Sequence, residues 1–378
     1  MRAGARLKPR LALAAVPARS ATPLLFADQG ANLAGQFFQA SLLPYLAFLY
    51  FLEYKPARVP TQTRFGFQVL LVFVISTVVT GIVSKANYGT TLANVDWLHG
   101  ASESLLTCSN LYVSLGFLSA TRGEEHPQSI TWKYPALALA TAVFGSAVFG
   151  ANYFGAHDPF LFGAGALPDA LTSGALFALE PDNALSVPTW AIHFSSVFEW
   201  LFAMNLVWKY ADVSRNEAYR GLTWGMLPLH ASGVAACTYH FFYNSPSLQF
   251  LVTLQAFLTL LGNTTVAIAA ARIALSTGWK PQMLLPEQLG GASSEDGQEL
   301  LPLVTDGSGP PVALLVIELL LLTAITSIVV KYGELALTLP FDPNVFVAAL
   351  MVALPPLVVA REYSGGGSST GLAEADKM

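Results

Sequence analysis

The chain has 378 residues, 53% of them hydrophobic and 11% charged, against about 25% charged in an ordinary soluble domain, so a soluble fold would leave far too much apolar surface without solvating charge. A net charge of −5 with no basic stripe excludes nucleic acid as a partner. The two cysteines, Cys108 and Cys237, stand in apolar segments without CxxC or His/Cys spacing, which excludes a zinc ribbon or a disulfide framework and leaves at most a single bridge.

From the N-terminus, residues 1–28 read as a transit-like presequence: Arg2, Arg6, Lys8, Arg10 and Arg19 occur among small residues with no acid before Asp28. The alternative is a basic tail. Nine apolar segments follow, at about 31–53, 65–84, 97–120, 134–156, 187–208, 221–243, 248–271, 311–330 and 343–360. Each is close to the ~20 residues that cross a bilayer as a helix. The fold class is therefore all-α, a polytopic transmembrane bundle of about nine spans. Residues 29–156 form a first membrane domain of four spans, and 157–186 an acidic loop with Asp158, Asp169, Glu180 and Asp182. Residues 187–275 form a second domain of three spans, 276–310 a flexible acidic linker, 311–361 a C-terminal helical hairpin and 362–378 a disordered tail.

Charge placement tests this topology. Connections after spans 1, 3, 5 and 7, with the C-terminal tail, hold twelve Lys and Arg; those after spans 2, 4, 6 and 8 hold only Lys85 and Lys331. By the positive-inside rule the C-terminus lies on the cytoplasm-equivalent side, the stroma in a plastid.

Ionisable groups at membrane depth are costly and point to function. In this topology His99 and Glu103 fall in the trans half of span 3, His193 and the somewhat deeper Glu199 in span 5, and His240 near the trans end of span 6 beside Asn244. His99 and Glu103, four apart, share a helix face, where a carboxylate can fix the imidazole tautomer and leave its other nitrogen for a ligand. His193 and Glu199 are six apart and cannot pair locally. His230 lies at mid-depth in span 6, and Glu318 stands alone in span 8, to be carried protonated or paired inside the bundle. The bland reading of each histidine is an amphipathic ring at headgroup level.

Two blocks resemble membrane-protein families of unknown function from cyanobacteria and chloroplasts, of the conserved plastid open-reading-frame type. The first runs from Ser41-Leu42-Leu43-Pro44-Tyr45 to Asn94-Val95-Asp96-Trp97-Leu98-His99-Gly100. The second contains Pro188-Thr189-Trp190-Ala191-Ile192-His193, Gly225-Met226-Leu227-Pro228-Leu229-His230 and Cys237-Thr238-Tyr239-His240. Together they span about 37–275, and their joining resembles a plastid fusion protein. The resemblance implies a photosynthetic organism and a plastid membrane, thylakoid rather than inner envelope, but no activity.

The function expected is that of an auxiliary factor assembling or maintaining a photosynthetic complex in the lipid bilayer, with membrane histidines ligating chlorophyll or another tetrapyrrole. Two other readings fit the same residues: a proton-coupled or ion or metabolite transporter, and a metal-dependent membrane oxidoreductase. No Walker loop, HExxH or dinucleotide fingerprint is present, so an enzyme is the less favoured reading.

Overall fold

The computed structural model describes residues 21–124, 129–163, 178–284 and 312–365, with side chains from residue 32. The first twenty residues, most of the acidic linker and most of the tail lie outside them. The described residues form nine helices and no strand: α1 (Ala21–Leu52), α2 (Thr61–Tyr88), α3 (Asp96–Arg122), α4 (Tyr134–Phe149), α5 (Val187–Ser214), α6 (Ala218–Phe241), α7 (Phe250–Ser276), α8 (Val312–Leu335) and α9 (Val345–Gly365). Local chemistry sets several ends. Pro188 occupies the first turn of α5, where its missing N–H costs nothing. Gly89 and Gly123, both at φ 70°, terminate α2 and α3 in the left-handed conformation.

Nine is the number of helices, not of segments apolar enough to cross a membrane unaided. Among the described residues five helical stretches meet that criterion: Thr61–Tyr88, Ile130–Asn152, Pro246–Ser276, Val312–Leu335 and Val345–Gly365. Three of the other helices, α3, α5 and α6, bury polar and ionisable side chains inside the bundle, which lowers their hydropathy while leaving them long. Helix α1 also starts about ten residues before the expected span, reaching into the transit-like segment.

The helices pack in the order α4, α2, α3, α5, α6, α7, α1, with α8 laid on α5 and α9 on α6. Thus α1 and α7, far apart in sequence, are neighbours. Where two helices meet in an apolar bundle, small residues and side chain–backbone hydrogen bonds replace the hydrophobic drive available in water. Ser109 Oγ donates to Gly66 O (2.7 Å) and Thr63 Oγ1 to Val113 O (3.1 Å) between α2 and α3. Asn263 Nδ2 donates to Ser41 O (3.1 Å) between α7 and α1. Gly116 is obligatory for the α2–α3 approach, because a Cβ there would stand 2.4 Å from the Thr63 backbone nitrogen.

The aromatic core formed by Phe48, Phe67, Phe117, Tyr210 and Tyr219 closes one end of the bundle, where Tyr210 Oη donates to Arg58 O (2.6 Å) and Tyr219 Oη to Ala57 O (2.8 Å). Polar side chains gather at the other end. There α8 contributes a stripe of Thr323, Ser327, Lys331 and Glu334 at helical spacing, all buried. Glu318 is nine residues from Ser327 and so on the opposite face; it is exposed and does not pair inside the bundle. Both cysteines are free thiols.

Candidate metal centre

Three histidines from three helices meet at the polar end. His99 is the fourth residue of α3, His193 the seventh of α5 and His240 the penultimate residue of α6. Helices α3 and α5 start at this end and α6 finishes there, so the antiparallel run of α6 carries His240 back to the level of the other two. All three are 5–6% exposed. Their ring centroids are 4.8–4.9 Å apart, and one ligating nitrogen from each lies within 4.8 Å of the others.

Second-layer bonds orient the rings. Asn244 Nδ2 donates to the Ala93 carbonyl (3.0 Å) and to Asn94 Oδ1 (2.8 Å), which fixes its amide and leaves Oδ1 as acceptor. His240 Nδ1, 2.8 Å from that oxygen, must therefore carry the proton, leaving Nε2 with a free lone pair. Tyr243 (φ 49°) and Asn244 (φ 56°) both take left-handed backbone, which folds the Asn244 side chain back over the end of α6; asparagine tolerates this conformation well. On the other side, His99 Nε2 stands 4.0 Å from Glu103 Oε1, close but longer than a hydrogen bond. His99 Nδ1 and His193 Nε2 are buried without any partner, a rare condition unless a ligand completes them.

The roof over the histidines is equally built. Asp96 accepts Phe160 N on one carboxylate oxygen (2.8 Å) and Ser186 N on the other (3.0 Å), pinning two loops above the start of α3. Asn183 Nδ2 joins Asn94 Oδ1 and Tyr243 O. Gly100 lets Phe160 and Thr189 close on α3: a Cβ there would lie 2.5 Å from the Phe160 ring and 2.7 Å from Thr189 Oγ1.

Of the residues singled out in the sequence, the structure brings together His99, His193 and His240, with Glu103 beside His99 and Asn244 behind His240. Glu199 does not join them: it hydrogen-bonds Ser195 (2.7 Å) further along α5. His230, ten residues from His240, is about 15 Å deeper and buried with both ring nitrogens unpartnered. Glu318 points away. Asp96, Asn94, Asn183 and Asn110 escaped the sequence reading, since no spacing rule marks them; only the polar run Asn94-Val95-Asp96 directly before α3 hints at a loop anchor.

Residues 34–122 match the family model described as Protein of unknown function (DUF3593), and residues 184–272 the one described as Protein of unknown function (DUF2499). The Ycf49-like protein of Synechocystis sp. is 51% identical over 88 residues, 85% of its length and 23% of this chain. The chain belongs to the Ycf49-like family. A second relative, the uncharacterized protein ycf49 of Cyanophora paradoxa, is 38% identical over 84 residues, 82% of its length and 22% of this chain. No solved structure matches.

The expected fusion of two plastid and cyanobacterial families of unknown function thus holds. Helices α1, α2 and α3 fall within or overlap the first matched region and α5, α6 and α7 the second, yet the two interlock, with α3 against α5 and α1 against α7. The histidine cluster draws His99 from one region and His193 and His240 from the other. The chain is a helical membrane protein whose relatives are compatible with a plastid membrane.

Proposed function

We propose that this protein is an auxiliary component of a plastid photosynthetic membrane, the thylakoid, and that it works through a single transition-metal ion held by His99, His193 and His240. The observation that carries the reading is three buried imidazoles facing one another, with His240 oriented by Asn244. Zinc–imidazole bonds of about 2.0–2.1 Å separate tetrahedral ligand nitrogens by about 3.3 Å. Starting from nitrogens within 4.8 Å, each ring need close in by less than about 1 Å to reach such bonds. An all-imidazole donor set suits zinc, copper, iron or nickel. Three protein ligands leave a coordination position open, as in sites that exchange ligands rather than brace a fold.

The tetrapyrrole expected from the sequence is a poorer fit to this cluster. An axial histidine needs a flat slot on its nitrogen side, whereas these nitrogens face one another across less than 5 Å. A metal-dependent role in maintaining a photosynthetic complex, or an electron-transfer step, follows more directly. The charge asymmetry supports a C-terminus on the stromal side, which puts the metal centre near the lumenal face.

Metal analysis of the detergent-purified full chain, with and without added Zn²⁺ or Cu²⁺, tests this. One ion per chain is expected, with loss in His99→Ala, His193→Ala and His240→Ala variants that keep their helicity. A folded, metal-free wild type that binds neither ion, or one that carries stoichiometric pigment instead, overturns the reading.

A further inference from the structure

Below the histidines, α3 and α5 meet along a polar seam that the metal centre does not use. Thr107, Asn110 and Ser114 recur on one face of α3 and donate to the carbonyls of Ile192 (3.5 Å), Ser196 (3.3 Å) and Glu199 (3.4 Å) on α5. His99 and Glu103 continue the same face upward, at spacings of four, four and three residues down to Asn110.

At the inner end of the seam the hydrogen bonding does not close. Glu199 is 1% exposed and Asn110 2%. One carboxylate oxygen, Glu199 Oε1, accepts from Ser195 Oγ at 2.7 Å. The other, Oε2, has no partner, and neither has Asn110 Oδ1, whose amide donates to the Ser196 carbonyl on the facing stretch of α5. Two buried acceptors on facing stretches of α3 and α5 are left without a donor. A buried carboxylate without a counter-charge is expensive, and the basic residues of the helices packed here stand near helix ends: Arg122 of α3, Lys209 of α5, Arg220 of α6 and Lys331 of α8. The titratable neighbour on α3 is Cys108. On α6 the groups in the membrane interior are His230 and Cys237, the latter beside Glu103, and α8 offers Thr323 and Ser327 on its packed face.

We propose that Glu199 holds a proton inside the bundle, shared with Asn110, at the inner end of a polar seam that leads to the histidine layer. One proton on Oε2 supplies the missing donor and removes the buried charge together. The proton site stands on Glu199 and Asn110 alone; only the use of its proton at the histidines rests on the metal reading.

Infrared difference spectroscopy on the chelator-treated full chain in liposomes, wild type minus Glu199→Gln, tests it without requiring metal. Glutamine can accept from Ser195 and donate to Asn110, so this variant should fold with an unchanged melting temperature. The expected result is one protonated-carboxyl C=O band at neutral pH, lost in Glu199→Gln, shifted in Asn110→Leu, and moved by transfer to D₂O. No such band in the wild type, or the same band in Glu199→Gln, overturns the proton site. A carboxylate band that responds to exchange of Na⁺ for K⁺ also overturns it, because the site would then hold a cation. A band that does not exchange in D₂O overturns the seam as a path. Failure of metal binding leaves every one of these outcomes readable.

Discussion

Asn244 does more for the site than its position in a turn suggests. With Tyr243 it takes left-handed backbone just beyond α6, ties that end to Ala93 and Asn94, and holds His240 in the tautomer that exposes Nε2. Partners that orient metal-bound histidines are worth about 10–100-fold in affinity. Asn244→Ala should therefore weaken Zn²⁺ binding by roughly that factor with little change in helicity, as measured by competition against a chromophoric chelator. Unchanged affinity would mean that the three rings are held by packing alone. The histidines themselves were legible, because the alternation of basic loops set the direction of each helix and so the height of each ring. Asn244 was legible as the neighbour of His240, but Asn94 and Asn183 were not: they come from separate loops, and what joins the three is how those loops fold over the bundle end. Glu199 shows the limit from the other side. Height along the helix placed it near the histidines, but rotation about α5 and the Ser195 bond turn it into the α3 seam.

At the scale of helices, the number of elements was readable from apolar length and turn residues, and all nine segments are helical. By length and apolarity five helical stretches among the described residues qualify to cross a membrane, and α3, α5 and α6 fall short, since their buried polar and ionisable side chains lower their hydropathy. Close helix approach separates folding from function in a testable way. Gly116 and Gly100 both lie on α3, but Gly116 faces the Thr63 backbone of α2, whereas Gly100 faces Phe160 and Thr189 directly beneath the roof. Gly116→Ala should lower stability by about 1–3 kcal/mol, the usual cost of overpacking, and leave metal affinity unchanged. Gly100→Ala should cost a similar amount and also weaken metal binding, because it pushes α3, and His99 with it, away from α5. Thermal unfolding in detergent and metal titration on both variants separate the two. Equal affinities would sink the view that α3–α5 contact sets the histidine spacing.

Across the whole molecule, the C-terminal hairpin is the part whose attachment the sequence least explains, for its outward faces are almost entirely apolar. Its inner face packs Ala348 and Val352 of α9 against Ala235, Leu248 and Leu251, and α8 adds a polar hold. Lys331 of α8 donates to Glu180 Oε1 and to the Leu185 carbonyl, Glu334 is buried one turn on, and Ala178 N donates to Leu335 O (2.8 Å). Lys331, buried near the end of α8, is thus neutralised where it stands. The segment it clamps leads through Asn183 and Ser186 into the roof above the histidines, so hairpin and histidine cluster share a support. Lys331→Met leaves Glu180 without its cation and the Leu185 carbonyl without a donor, a loss of about 1–3 kcal/mol for buried acceptors. Glu180 is partly exposed, with 36% of its side chain accessible, so solvent screening holds the effect toward the lower end. Adding Glu180→Met to Lys331→Met should recover part of the loss, since it removes the stranded carboxylate. A double variant no more stable than Lys331→Met would show instead that the Leu185 carbonyl and the packing of the lysine stem, not the ion pair, hold the hairpin to the bundle.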